Sequence, residues 1–338
     1  MIVINLFIDP EDSNSQLAQA MIEGLRNELP IQLAVIDIRS ESSLFLAYQG
    51  KTPVVKVGPY TLNFPFTEQD LKVAVGAAID RDEHLDKMGD KKYKQKLRRG
   101  HKLSSADRIS YWLTRNYMIL INVFLFIYVG LPFLPPYLIR SGINAPARVI
   151  YAIYSPLCHQ LPYRSWFLFG EQPYYPRELA DIPEVASYES FIGDDPYVLN
   201  ESRHYIGNEA IGLGEGEVGI KVALCQRDTA IYLGLFLFGL LFVLTGRKIK
   251  PISWFLWILF GLIPIGLDGA SQLPGLVAAL PDWLWMREST PILRVITGSL
   301  FGITTAWYLF PMIEENMVHT RVMLAGKIAA VGQMIKDT

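Results

Sequence analysis

The spacing of apolar positions changes abruptly along this chain of 338 residues. Residues 2–7, IVINLF, alternate and are rich in β-branched side chains, the pattern of a buried strand. DPEDSNSQ follows, dense in residues that cap helices, and LAQAMIEGLRNEL then repeats at the helical period. IQLAVIDI at 31–38 predicts a second strand and SSLFLAYQ a short helix. TPVVKVG at 52–58 predicts a third strand opened by Pro53, and TEQDLKVAVGAAI a closing helix. Strands alternating with helices in this way predict an α/β domain over residues 1–82.

Further along, the periodicity gives way to long apolar runs at 117–139, 229–246, 252–267 and 292–310. Runs of this kind suit a hydrocarbon core of ~30 Å. Pro132, Pro135 and Pro136 should bend or end the first of them. PARVIYAIYSPL, at 146–157, is shorter and more polar and predicts an interfacial or re-entrant helix. The expected architecture is a soluble α/β domain at 1–82, a basic linker at 83–116 and an all-α polytopic membrane domain at 117–312. That membrane domain has four transmembrane helices and an insert at 170–220, and a tail occupies 313–338.

Charge then orients the chain. The composition is 51% hydrophobic and only 19% charged, more apolar than a soluble average, and the net charge of −2 argues against nucleic-acid binding. The basic stretch KMGDKKYKQKLRRGHK, at 87–102, stands just before the first run, where the positive-inside rule puts it in the cytoplasm. GRKIK at 246–250 and the tail residues Arg321 and Lys327 fall on the same side after an even number of crossings. Segment 140–228, acidic from Glu171 to Glu217, then lies outside. The expectation is a multi-pass plasma-membrane protein in contact with lipid, with both termini cytoplasmic. The opening MIVINLFIDP lacks the basic start of a secretory signal.

This topology gathers polar groups at one outer level. CHQLPYRS supplies Cys158, His159, Gln160 and Arg164, and CQRDTAIYLG supplies Cys225 and Arg227. GLDGASQ adds Asp268 and Gln272, and RESTPILRVITG adds Arg287, Glu288, Arg294 and Thr297. Ionisable groups in a membrane domain face inward and pair, so Asp268 should partner Arg294 or Arg227. The arginines either satisfy Asp268, Glu288 and backbone carbonyls or form an anion pocket for a lipid headgroup.

Cys158 and Cys225 are the only cysteines, which excludes a four-cysteine zinc site. They leave open a structural disulfide, two free thiols, a redox-active disulfide, or a metal site on Cys158, His159 and Cys225 with Asp268. GLGEGEVG at 212–219 lacks the lysine and serine of a phosphate loop. Trp283, Trp285 and Trp307 fit interfacial anchoring.

Two resemblances bear on function. The order of elements over residues 1–80, with Thr52-Pro53 opening the third strand, looks like a glutaredoxin or thioredoxin-like domain. That resemblance implies a cis proline and a Cys-x-x-Cys at the first helix. The matching place here reads Asp9-Pro10-Glu11-Asp12-Ser13-Asn14, without the thiolate that disulfide exchange requires, so a docking module is expected. The four motifs quoted above, in order across residues 120–312, resemble the uncharacterised membrane-protein family called domain of unknown function 2085. The resemblance groups these residues without assigning them a reaction or a cofactor. The leading expectation is an accessory or assembly subunit of a membrane complex, reaching other subunits through the N-terminal domain and the outer insert. Alternatives are a membrane thiol- or metal-dependent oxidoreductase and a small transporter using Asp268 and Arg294.

Overall fold

The computed structural model describes residues 2–26, 28–40, 42–87, 103–192, 218–272 and 288–336. Its first elements are β1 (Ile2–Ile8), α1 (Ser13–Leu25), β2 (Ile31–Asp37), α2 (Ser42–Tyr48), β3 (Val54–Val57), β4 (Tyr60–Asn63) and α3 (Glu68–Lys87). Then follow α4 (Ser105–Gly130), α5 (Leu134–Arg140), α6 (Asn144–Tyr154), β5 (Ser165–Leu168) and β6 (Ile220–Cys225). The chain ends with α7 (Gln226–Leu244), α8 (Trp254–Ala270) and α9 (Pro291–Lys336). It divides into two compact units, Met1–Tyr117 with Glu314–Thr338, and Met118–Ile313.

The first unit is built on a mixed sheet of order β2-β1-β3-β4, in which β1 runs parallel to β2 and antiparallel to β3. Ile4, Leu6, Val55 and Val57 bury one face against Ala18, Ile22 and Leu25 of α1 and Leu71, Val75 and Ala78 of α3. Burying each of the larger aliphatic side chains is worth roughly 1.5–3 kcal/mol. Helix α1 starts where Asp12 accepts the Asn14 N–H, and α3 where Thr67 and Asp70 cap one another. Phe7, Ile36 and Val54 form the opposite face and pack on Leu44 and Tyr48 of α2, with Val322 and Ala325 of α9 beside them. The Thr52–Pro53 and Phe64–Pro65 peptides are cis.

Three boundaries differ from expectation. The strand β4 was not foreseen: YTLN is mostly exposed, and it pairs only with β3 after a turn at Gly58, whose φ is +55°. The basic stretch falls largely at 88–102, outside the described residues, but α4 already begins at Ser105, well before its apolar run. Ser104 and Asp107 form a reciprocal cap there, and Asp107 also pairs with Lys327 at 2.8 Å. The expected tail is instead the end of α9, helical to Lys336, where Glu314 accepts from Tyr117 at 2.6 Å and pairs with Arg321.

The apolar helices lie mainly in the second unit. Among the described residues, three stretches are long and apolar enough to cross a membrane: Ser105–Arg140, Gln226–Leu244 and Pro291–Ile328. The run expected as a further span is the shorter apolar helix Trp254–Ala270, with a π-helical middle at Ile258–Leu262 followed by Pro264. Phe124, Phe126, Leu237, Leu241, Phe260 and Ile296 stand about half exposed or more on these helices, a surface suited to lipid.

Helices α7 and α9 meet through small residues. Gly298 and Gly302, four apart in GSLFG, lie against the carbonyls of Arg227 and Ile231, and a Cβ on Gly302 would fall 2.1 Å from the Ile231 oxygen. This all-helical expectation needs one amendment. The short strands β5 and β6 pair antiparallel, placing Ser165 opposite Cys225 and Phe167 opposite Lys221. A long insert separates them in sequence, so no hairpin signal connects them.

Candidate functional site

Two polar centres lie in the second unit, both organised at the point where β6 runs into α7. The first is a set of ion pairs. Arg227, in the first turn of α7, pairs with Asp268 near the end of α8. The same carboxylate oxygen of Asp268 accepts from the Ser289 hydroxyl at 3.0 Å and from Thr297 at 3.5 Å. Gln272 donates to the Asp268 backbone carbonyl at 2.7 Å. Arg294, only 2% exposed, pairs with Glu288 and donates to the Tyr163 carbonyl at 3.2 Å. Arg164 lays its fork over Glu288 at 3.2 and 3.4 Å and stacks on the Tyr163 ring.

The expected alternatives for Asp268 thus resolve to Arg227, while Arg294 turns to Glu288. These contacts tie four segments of the unit together through buried charges. Removing one partner of such a pair costs about 3–5 kcal/mol, because it strands the other charge. Arg287 lies outside the described residues.

The second centre is a pair of thiols. Cys158 is buried in the turn that follows α6, where Gln160 donates its N–H to the sulfur at 3.5 Å. Cys225 closes β6 and caps α7: its sulfur accepts the Asp228 N–H at 3.4 Å, and its thiol lies 3.1 Å from the Asp228 carboxylate. The two sulfurs and a carboxylate oxygen of Asp228 all lie within 4.8 Å of one another. Both cysteines are free.

Lys221 is fully buried beside them and donates from Nζ to the Gln160 carbonyl at 2.5 Å. The Gln160 side chain in turn donates to the Tyr151 carbonyl at 2.9 Å, and the Tyr151 hydroxyl donates to the Lys221 carbonyl. Gln160 holds a positive φ of 51°, an uncommon conformation for a non-glycine residue.

The electrostatics follow from this enclosure. Burial pulls the Lys221 ammonium down to about 7, opposed by attraction to the Cys158 sulfur. The hydrogen bond from the Cys225 thiol, with a smaller one from the Gln160 N–H, lowers the Cys158 pKa against the effect of burial. The bond to Cys158 and then burial hold the Cys225 proton on. One thiol is therefore primed as the thiolate and the other as its donor.

The metal set expected from the sequence, Cys158, His159 and Cys225 with Asp268, is not brought together. Among the described residues the close grouping is Cys158, Cys225 and Asp228, whereas His159 is exposed and Asp268 is bonded to Arg227. Sequence reasoning missed Lys221, Asp228 and Ser289. A lysine inside the apolar strand IKVALC was the available signal for the first. An aspartate three residues past a helix-capping cysteine was the signal for the second.

This arrangement of apolar helices around buried ion pairs defines a membrane protein. Residues 218–308 match the family described as "Predicted membrane protein (DUF2085)", a segment that holds Lys221, Cys225, Arg227, Asp268, Glu288 and Arg294. Cys158, His159 and Arg164 precede it. The chain is also similar to MJ1492 of Methanocaldococcus jannaschii, itself an uncharacterised protein: they are 28% identical over 212 residues, 60% of this chain and 96% of that protein. No solved structure matches the chain.

Proposed function

We propose that this protein is an accessory or assembly subunit of a membrane complex, held in the plasma membrane by four spans with both termini in the cytoplasm. In this reading Trp254–Ala270 is the third of the four crossings, the first unit is a thioredoxin-like docking domain, and the outer insert is a second docking face. Lipids surround the apolar helices, and the ion pairs of Arg227, Arg294 and Arg164 fix the bundle.

The observation that carries the reading is what occupies the start of α1. The stretch where the thioredoxin resemblance implies a pair of cysteines is held by ion pairs from Arg39 to Asp9 at 2.7 Å and to Glu11 at 2.6 Å. Asp12 is spent as the helix cap. The side chains there anchor the backbone, leaving a folded surface without reactive groups. The positive-inside pattern of the basic segments supports the orientation. The locking of Asp268 and Arg294 into pairs makes a transport pathway through them a weaker reading.

A gentle native pull-down of the full chain at its natural abundance, followed by crosslinking and mass spectrometry, tests the proposal. The expected result is a stoichiometric partner chain crosslinked within residues 1–82 or 170–220. Purification of the chain alone, with no partner crosslink in either region, overturns it.

A further inference from the structure

The thiol centre stands apart from the docking role and calls for its own account. Two free cysteines come from segments far apart in sequence, one after α6 and the other at the β6–α7 junction. Strand pairing of β5 with β6 fixes Cys225, and the bonds from Gln160 to the Cys158 sulfur and to Tyr151 fix the turn that carries Cys158. A buried lysine is costly unless its charge is used or neutralised. Here it lies at the same turn, fastened to the Gln160 carbonyl. Cys225 also caps a 19-residue helix, and the Asp228 N–H bonded to its sulfur fixes where that sulfur stands.

We propose that Cys158 and Cys225 form a reversible disulfide by exchange with an external disulfide, R–S–S–R, and that Lys221 carries the protons. The neutral Lys221 amine takes the Cys158 proton, and the Cys158 thiolate attacks one sulfur of R–S–S–R. The S–S bond breaks, and the departing RS⁻ takes the proton from Lys221 to leave as RSH. A mixed disulfide on Cys158 remains. Lys221 then takes the Cys225 proton, and the Cys225 thiolate attacks the Cys158 sulfur. That forms the Cys158–Cys225 bond and expels a second RS⁻, protonated in the same way. In total, two protein thiols are oxidised and one disulfide is reduced to two thiols. Run backwards, the same steps oxidise a pair of thiols.

Lys221 suits the task because its pKa lies close to ambient pH, so it can both accept and release a proton. The Asp228 carboxylate, 3.1 Å from the Cys225 sulfur, is the alternative acceptor for the single Cys225 proton. A lysine ammonium that interacts with the Cys158 sulfur works against a bound cation, which favours exchange over metal binding.

The test uses the full chain in nanodiscs, equilibrated across ratios of reduced to oxidised glutathione and then labelled with a mass-tagged maleimide. The expected result is a two-thiol transition that follows the glutathione ratio, absent in Cys158→Ser and in Cys225→Ser. Oxidation by oxidised glutathione at pH 7 should slow at least tenfold in Lys221→Met, with the equilibrium ratio changed far less. Three results overturn the proposal. One is thiols that stay separate at every ratio. Another is a bridge that persists in the folded protein under strong reductant, which would make it purely structural. The third is a stoichiometric metal ion on the purified chain that blocks labelling until chelated. The wild-type titration decides the question even if a variant fails to fold.

Discussion

Arg294 and Glu288, six residues apart on either side of the start of α9, form an ion pair that is almost wholly buried. Glu288 is the shared anion of this ion-pair cluster, since Arg164 also reaches it at 3.2 Å. Two guanidinium groups on one carboxylate mean that the anion matters more than either cation. Glu288→Ala should therefore destabilise the second unit by about 3–5 kcal/mol, because two cations lose their compensation, one of them buried. Arg164→Ala, on a partly exposed arm, should cost under about 1 kcal/mol. Thermal unfolding of the purified variants in one detergent checks the order, and an equal loss in both would refute the shared-anion account.

Asp268 plays the corresponding part for Arg227, Ser289 and Thr297. Asp268→Asn keeps the shape but removes the charge, which leaves Arg227 without its counter-ion. The Asp268→Asn/Arg227→Met double variant should recover at least half of the stability lost in Asp268→Asn. A double-mutant cycle on unfolding midpoints measures the coupling; additive losses would show that the pair is not linked.

Gly302 tests the close approach of α7 and α9. Its Cβ position lies 2.1 Å from the Ile231 carbonyl oxygen, so Gly302→Leu must separate the helices. Overpacking of this kind costs about 1–3 kcal/mol and removes the contact on which the bundle closes. Size-exclusion chromatography should show a smaller monodisperse fraction for this variant. Gly266→Leu, at an open position, should behave as wild type.

These tests lean on features of unequal legibility. The strands β1 and β2 could be read from alternation because one sheet face is uniformly buried. Strand β4 could not, because YTLN has no buried face of its own and exists only through pairing with β3. The ribbon of β5 and β6 was hidden for a related reason: its partners are joined by structure and not by a short turn. Charged residues placed in or beside apolar runs were conspicuous, and the rule that they pair led to Asp268 and Arg227. Lys221 escaped because one cation in a six-residue strand reads as an outward-facing position. Only the fold reveals that this strand is covered on both faces.

The sheet of the first unit offers a test of its second face. Val322 and Ala325 of α9 pack against the cluster formed by Phe7, Ile36, Ile38, Leu44, Tyr48 and Val54. Val322→Asp would set a carboxylate against this apolar group, at a cost of roughly 1–3 kcal/mol. Hydrogen exchange should then quicken in β1 and β2, while α7 in the second unit keeps its protection. Unchanged exchange in both strands would show that α9 contributes nothing to that face.

Lys221 gives a pH signature with a definite sign. Its ordinary value of 10.5 falls to about 7 in the fold, so between those values the unfolded chain binds more protons than the folded one. Stability from this group is lowest below about pH 7 and rises as pH climbs. Among the described residues, the Cys158 sulfur attracts its charge and the Tyr151 hydroxyl bonds its backbone carbonyl. Cys225, whose proton is held on, turns the slope the other way above about pH 9, so the useful window is about pH 7 to 8.5. Across it the wild type should gain about 2 kcal/mol from Lys221, and Lys221→Met should lose that gain. Denaturation midpoints at both pH values, with the thiols kept reduced, provide the measurement. The lowered Cys158 thiol adds a rise of its own in this window, so a slope undiminished by the substitution would mean that Lys221 is not the titrating group.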